Sequence, residues 1–340
     1  MRLRWTLVAL LIAIAGLFAA YGVFQRWLAT PLAIEQAQQF EIPPGQPLAA
    51  TAGELEKRGW LDRPQWLVAY ARVTGADARV RAGEYEITPG TTPRRLLELF
   101  ESGNVVQHTV TFVEGWTFRD ARRVLEHEPR LQHRLAKLSD AEVMQQLGEE
   151  GQAPEGLFFP DTYVFAKGTS DLELLKQARS RMRDELAAAW TDRAGDLPIT
   201  TPYEALTLAS IVEKETALEA ERPRIAGVFT TRLRRGMLLQ TDPTVIYGLG
   251  PKFDGNLRRA DLERDGPYNT YTRTGLPPTP IALPGAEALR AAVRPDERGD
   301  IYFVATGLPD GSHTFSRTLG EHEAAVSQYL ARLRRQRSGK

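Results

Sequence analysis

The chain contains no cysteine among its 340 residues. Disulfides, thiol nucleophiles, iron–sulfur clusters and cysteine-ligated zinc are excluded together, although the compartment stays open. Histidine is scarce too: His108, His127, His133, His313 and His322 are the whole set. None forms an H-E-x-x-H pair, and no metal site is expected. An excess of either charge is also missing, with 43 Lys+Arg against 43 Asp+Glu. That balance argues against a nucleic-acid partner, which usually selects a basic surplus. Basic residues do gather at Arg332, Arg334, Arg335, Arg337 and Lys340. They read as a solvated helix end. There is no internal repeat and no low-complexity tract. What remains is an ordinary globular composition, 42% hydrophobic and 25% charged, at a length that suggests about two domains.

One long hydrophobic run is present. Trp5 to Phe24 carries neither charge nor proline. As a helix it would be about 30 Å long, the thickness of a bilayer core. A cleaved signal has a shorter apolar region and a small-x-small site. Here Tyr21, Val23 and Phe24 are bulky, so an uncleaved anchor is expected, with a cleaved signal as the rival. Arg2 and Arg4 precede the run, and only Arg26 is basic between it and Lys57. The positive-inside rule then keeps the N-terminus cytoplasmic and the rest of the chain outside the inner membrane, in the periplasm or its equivalent.

The predicted organisation is residues 1–4 as a cytoplasmic N-terminus, 5–25 as the membrane anchor and 26–38 as a tether. A small module over 39–102 follows, then a connecting region over 103–200 and a larger domain over 201–340. The small module reads β-α-α-β: a strand near Gln39–Ile42, helices over Leu48–Arg58 and Pro64–Val73, and an alternating strand over Arg79–Ile87. A helix over Thr92–Ser102 closes it, capped by Thr91 or Thr92 and stopped by Gly103. Beyond it come a strand near Val105–Val113 and helices over Thr117–Glu128 and Asp171–Trp190. Turns fall at Pro154-Glu155-Gly156 and Phe159-Pro160-Asp161. After residue 200 two helices, a loop-rich region, a strand at Ile301–Ala305 and a helix over Leu319–Arg335 are predicted. The fold class is α+β.

The most informative helix starts at Thr201-Pro202-Tyr203-Glu204, a capping box with proline in the first turn. At 100° per residue, Leu208, Ile211, Val212 and Glu215 share an arc about 100° wide. Glu215 thus stands on an apolar stripe. Burial would raise its pKa, as a general acid near neutral pH requires. A glutamate at the rim of the stripe, or one paired with an arginine, fits the same periodicity. Downstream, Met237–Leu249, Tyr268–Pro278 and Ile281–Gly285 read as loops dense in Asn, Thr, Tyr, Gln, Gly and Pro. Such loops suit a sugar better than a phosphate or metal, though plain turns would look alike.

Several runs together resemble the YceG-like family, the endolytic murein transglycosylases. They are Ala209-Ser210-Ile211-Val212-Glu213-Lys214-Glu215-Thr216, Leu239-Gln240-Thr241-Asp242-Pro243-Thr244-Val245-Ile246-Tyr247-Gly248 and Tyr268-Asn269-Thr270-Tyr271. Val113-Glu114-Gly115, Phe159-Pro160-Asp161-Thr162-Tyr163, Gly275-Leu276-Pro277-Pro278 and His313-Thr314-Phe315 fit as well. The resemblance runs from anchor to last helix. It implies internal cleavage of peptidoglycan glycan strands at the MurNAc–GlcNAc β-1,4 bond, leaving 1,6-anhydro-MurNAc ends. It assigns the catalytic role to Glu215, makes the β-α-α-β module LysM-like, and suggests termination of nascent strands beside penicillin-binding synthases. No cofactor is called for.

In such chemistry the substrate's C6 hydroxyl is the nucleophile, so one carboxyl can suffice where hydrolases use two. Gln240, Asp242, Asn269 and Tyr271 are candidates for positioning the sugar. Asp242 could instead make an Asx turn before Pro243, and Asn269 and Tyr271 could be structural. Were Asp242 a second acid or base, the enzyme would be a hydrolase. Two other classes fit less: a non-catalytic peptidoglycan-binding scaffold, and an anchored amidase or peptidase, for which Ser210 has no evident base.

Overall fold

A computed structural model describes residues 2–338. Met1, and Lys340 of the basic C-terminal group, lie outside the described residues. The chain divides into two compact units, residues 1–108 with 164–168, and residues 109–163 with 169–340.

In the first unit, α1 (Arg2–Ala29) leads. It is the one helix among the described residues long and apolar enough to cross a membrane, with a mean hydropathy of 2.5. Most of its side chains stand in the open, Leu17 at 70% and Phe18 at 74% exposure. The end of the helix differs, since Trp27 and Leu28 are buried. The predicted tether is likewise packed: Leu32 and Ile34 are buried, and Leu32 N–H donates to Thr91 O at 2.8 Å. Its scattered apolar residues have a core to enter.

That core lies between β1 (Gln38–Ile42), α2 (Leu48–Lys57), α3 (Pro64–Thr74), β2 (Gly83–Ile87) and α4 (Pro93–Ser102). The β-α-α-β order is the one the sequence predicts. β1 and β2 are antiparallel, with Phe40 opposite Tyr85 and Ile42 opposite Gly83. Inward residues alternate, so Phe40, Ile42, Tyr85 and Ile87 meet Leu55, Leu67, Leu96 and Phe100. The second strand starts four residues later than predicted. Its partner ends at Ile42, where Pro43-Pro44 cannot extend the ladder. Arg81 N–H bonds Phe100 O instead, at 3.0 Å.

β3 (Gln107–Thr111), α5 (Phe118–His127), α6 (Asp140–Gln146) and β4 (Thr162–Ala166) follow, and β3 pairs with β4. The second unit is mainly helical. α7 (Asp171–Thr191), α8 (Pro202–Glu215), α9 (Arg222–Arg234), α10 (Asp242–Leu249), α11 (Arg259–Glu263) and α12 (Ala286–Val293) precede a hairpin of β5 (Tyr302–Ala305) and β6 (His313–Ser316). α13 (Leu319–Ser338) covers the hairpin. α8 is central, packed on α7, α9, α10 and α12. The composition change near residue 200 leaves α7 and α8 in contact within one unit. α10 and α12 fall where loops are predicted. Each is only eight residues long, too short for periodicity to announce. The approach of α9 to the loop before β5 is close: Asp296 N–H bonds Pro223 O, and a side chain at Gly227 would overlap Asp296 O.

Candidate active site

The capping box of α8 forms as the sequence predicts. Thr201 Oγ1 accepts from Glu204 N–H at 3.2 Å, and Glu204 Oε2 accepts from Thr201 N–H at 3.1 Å. From Ala205 to Val212 every residue is buried. The stripe argument therefore needs correcting, because α8 is enclosed on all sides and not on one arc. What distinguishes its C-terminal turn is that two glutamates enter this enclosed setting.

They are treated differently. Glu213 has an arginine: Arg222 Nη2 lies 2.9 Å from its Oε1, and both side chains are almost fully buried. Gly285 N–H donates to its other oxygen at 3.0 Å. Glu114 approaches the same guanidinium at 3.5 Å. Glu215, the last residue of α8, makes no ion pair among the described residues. It remains partly open to solvent, yet its carboxyl lies among protein atoms. Burial pushes its pKa up to about 7, aided by the charge of Asp242 and opposed by the Thr241 hydroxyl and by Arg232.

The Thr241 hydroxyl donates to Glu215 Oε1. Thr241 is itself fixed by two buried threonines. Its N–H donates to Thr270 Oγ1 at 3.1 Å, and its carbonyl accepts from Thr244 Oγ1 at 2.8 Å. The two supporting hydroxyls are 2.9 Å apart. This joins the loop before α10 to the loop carrying Asn269–Tyr271, as does Gln240 N–H bonding Thr270 O at 3.0 Å.

Of the four predicted sugar-positioning residues, three surround this point. Tyr271 O–H donates to Asp242 Oδ1 at 2.5 Å. Burial and the Asp242 carboxylate raise the Tyr271 pKa, so its phenol stays a donor. Gln240 is exposed and is the one described non-glycine residue with a left-handed backbone, at φ 51°. Such strain concentrates at working sites. Asn269 departs from the expectation. It is buried, its Nδ2 donates to the carbonyls of Leu262 at 2.9 Å and Arg264 at 2.7 Å, and its Oδ1 accepts from Tyr271 N–H at 2.8 Å. Its amide is spent on holding the loop.

Sequence reasoning missed three residues. Thr241 falls within the Leu239–Gly248 run but carries no side-chain signal of its own. Arg232 is buried, its Nε donating to Ile301 O at 2.8 Å and its Nη1 to Leu239 O at 2.6 Å. It contributes positive charge toward Glu215. Glu155 was read only as part of a turn. It is 5% exposed and lines a cavity of about 620 Å³ with Thr117, Arg119, Tyr247 and Thr279. It accepts from Phe118 N–H at 2.9 Å, and burial raises its pKa to about 7. No cluster able to hold a metal occurs among the described residues.

This architecture has relatives. The profile of the YceG-like family matches residues 40–328. The chain belongs to the YceG-like family. It is 31% identical to a Bacillus subtilis protein named endolytic murein transglycosylase, over 85% of this chain and 84% of that one. A Streptococcus pneumoniae protein of the same name is 26% identical over 85% of this chain, which spans 58% of that relative's length. The crystal structure of a YceG-like protein from Listeria monocytogenes superposes with a TM-score of 0.53 at 29% identity, covering 86% of this chain and 99% of that one.

Proposed function

We propose that this YceG-like protein is a membrane-anchored lytic transglycosylase that cuts peptidoglycan glycan strands internally, with Glu215 as its acid and base. The relatives' shared name supports the reaction class. The observation that carries the assignment to Glu215 is a carboxyl raised to about 7 by burial, aimed by one threonine hydroxyl and lacking an arginine partner.

The chemistry then needs no water. Protonated Glu215 gives its proton to the β-1,4 glycosidic oxygen, and the bond from MurNAc C1 to that oxygen breaks. The departing GlcNAc leaves with a 4-hydroxyl. The C6 hydroxyl of the same MurNAc attacks C1, forming the 1,6-anhydro ring, and its proton passes to the Glu215 carboxylate. The enzyme returns to its starting protonation state. A buried carboxyl near pKa 7 suits both halves, since it gives up and recovers a proton at modest cost. Tyr271 and Asp242 would position the sugar beside it, with Gln240 at the edge. The first unit would act as a LysM-like glycan-binding module. The anchor would hold both units at the outer face of the inner membrane, beside the penicillin-binding synthases whose nascent strands they terminate.

The test is mass spectrometry of peptidoglycan digested by the full chain in detergent and by Glu215→Gln. Internal fragments ending in anhydro-MurNAc, one water lighter than hydrolysis products and absent with the variant, are expected. Reducing ends would make the enzyme a hydrolase and direct attention to Asp242. Cleavage undiminished in Glu215→Gln would remove the assignment. Binding without cleavage by either form would favour the scaffold.

A further inference from the structure

The apolar run of α1 ends at Phe24, but the helix continues to Ala29 and is gripped as it does so. The Phe24 ring lies 5.6 Å from that of Trp66 and 6.0 Å from that of Tyr70. The Trp27 ring lies 5.5 Å from Trp66, and its Nε1 donates to Asp62 at 2.6 Å. Arg94 Nη2 donates to Gln25 Oε1 at 2.8 Å. Leu28 is fully buried. No flexible stretch separates the span from the β-α-α-β unit.

This joint fixes which end of α3 points at the membrane. Trp66 meets both Trp27 and Phe24, whereas Tyr70 meets Phe24, one turn nearer the span. α3 therefore rises toward the bilayer from Trp66 to Tyr70. Val73 follows Tyr70 by three residues, on the same helix face. At 87% exposure it is the most exposed large apolar side chain among the described residues. The apolar run fills a bilayer core of about 30 Å, and the headgroup zone adds only several ångströms on each side. Tyr70, in ring contact with Phe24, falls in that zone, where tyrosine and tryptophan partition. Arg26 and Arg94 lie at this end of α1, whereas Arg63 precedes α3 and lies at the end away from the bilayer. The exposed Arg63 guanidinium lies 4.3 Å over the Trp66 ring, and Arg94 and Arg26 flank Gln25. Asp62, before the start of α3, is bonded to Trp27, and the exposed Asp77 follows Val73 by four residues.

We infer that Trp66, Tyr70 and Val73, with Arg26 and Arg94, are seated on anionic lipid headgroups of the bilayer that α1 crosses. The unit stands on the membrane as a fixed post and does not drift on a leash. This rests on the reading of α1 as a membrane span. It sets the height at which the proposed glycan-binding module meets a strand emerging from the membrane.

The absence of cysteine makes the test direct, since a single introduced thiol is unique. The full chain carrying Val73→Cys labelled with bimane is reconstituted in vesicles of phosphatidylcholine and phosphatidylglycerol. Nitroxide-bearing lipids serve as quenchers. A headgroup nitroxide is expected to cut the Val73→Cys emission about twofold, as for a probe at the interface. Adding Phe24→Ala and Trp66→Ala should abolish that loss. Adding Arg26→Gln and Arg94→Gln should weaken it, as should omitting phosphatidylglycerol. A bimane at Leu10→Cys, inside α1, reports the span through an acyl-chain nitroxide. Quenching at Leu10 without quenching at Val73 would leave the span standing and overturn the docked face. No quenching at Leu10 would overturn the span itself and the docking with it. Quenching at Val73 indifferent to both arginines and to phosphatidylglycerol would overturn the anionic headgroup as the partner.

Discussion

Thr241 stands at the N-cap of α10, yet its hydroxyl is turned to Glu215 and caps nothing. A threonine at that position ordinarily accepts from the N2 or N3 amide, worth about 1 kcal/mol to the helix. α10 forgoes that bond, and the helix is held by Pro243 in its first turn and by the buried Thr244 and Thr270 hydroxyls. The local rule is broken where the carboxyl of Glu215 is aimed, which is where such departures are expected.

Thr241→Val should therefore alter the pH dependence as well as the rate. A donor to the carboxylate holds its pKa down, so removing it lets burial push Glu215 further up. On the proposed mechanism Glu215 is protonated when substrate arrives, so wild-type kcat/KM should fall as pH rises through about 7. In Thr241→Val that fall should move to higher pH. The plateau should drop about 10- to 100-fold, because the carboxyl is no longer aimed. Thr241→Ser should restore most of both. The readout is the pH profile of anhydro-ended fragment release, and an unmoved limb would mean that a group other than Glu215 titrates.

Stability should carry the mark of the two raised carboxyls. In the unfolded chain a glutamate ionises near 4.5, whereas Glu155 and Glu215 hold their protons to about 7. Below 4.5 both states are protonated and neither group matters. Between 4.5 and 7 the unfolded state sheds protons that the folded state keeps, so stability is lost as pH rises. Above 7 the loss is complete, at roughly 3 kcal/mol per group in order of magnitude. Glu155→Gln keeps an acceptor for Phe118 N–H but has no charge to bury. Its melting temperature should match wild type near pH 4.5 and exceed it at pH 8. Cap carboxylates such as Glu204, with lowered pKa, contribute the opposite slope to both proteins and cancel in the difference. Equal melting curves at both pH values would show that Glu155 is ionised in the fold at no cost.

Much of this arrangement is legible in the sequence, and the gaps have physical causes. The first unit was legible because Phe40, Ile42, Tyr85 and Ile87 alternate and Thr92 and Gly103 bracket a helix. Glu215 was reached by periodicity and by resemblance, but periodicity gave an incomplete reason, since α8 is buried all round. The arginine pairing that the periodicity allows for Glu215 belongs to Glu213. α10 and α12 were hidden by Pro243 and by Pro284-Gly285, which signal turns and helix starts alike. Glu155 had no signal at all. Its burial depends on Tyr247 and Phe118, each far away in sequence.

The two residues of Tyr268-Asn269-Thr270-Tyr271 that were expected to touch sugar should separate experimentally. Asn269→Ala strips two short bonds to carbonyls and one from Tyr271 N–H inside a buried loop. It should lower stability by about 1–3 kcal/mol and lose activity with the loop. Tyr271→Phe removes only the hydroxyl on Asp242. It should leave the melting temperature nearly unchanged and reduce kcat/KM about tenfold or more. Comparing thermal melts with initial rates for the two variants checks both. A stable, active Asn269→Ala would refute the loop-holding role.

The Glu213–Arg222 pair makes the last case, because it lies two residues from Glu215 without touching it. Both side chains are almost fully buried, and Gly285 N–H completes the Glu213 carboxylate. Burial, helped by the Glu114 charge, drives the Glu213 pKa up, and that amide, Arg222 and Lys214 oppose the rise. Arg222→Met leaves a carboxylate with one amide partner and should cost roughly 3–5 kcal/mol. Glu213→Gln still accepts from Gly285, and Arg222 keeps Glu114 at 3.5 Å, so its cost should be smaller. Adding Glu213→Gln to Arg222→Met should recover part of the loss, since no unpaired charge remains in the core. That non-additivity, measured in a double-mutant cycle by thermal or urea unfolding, identifies the pair as coupled. Activity should follow another course. The double variant regains stability, but the turn of α8 that sets the direction of Glu215 has lost its clamp, so kcat should stay depressed. A double variant that recovers both would mean that α8 holds Glu215 in place without the ion pair.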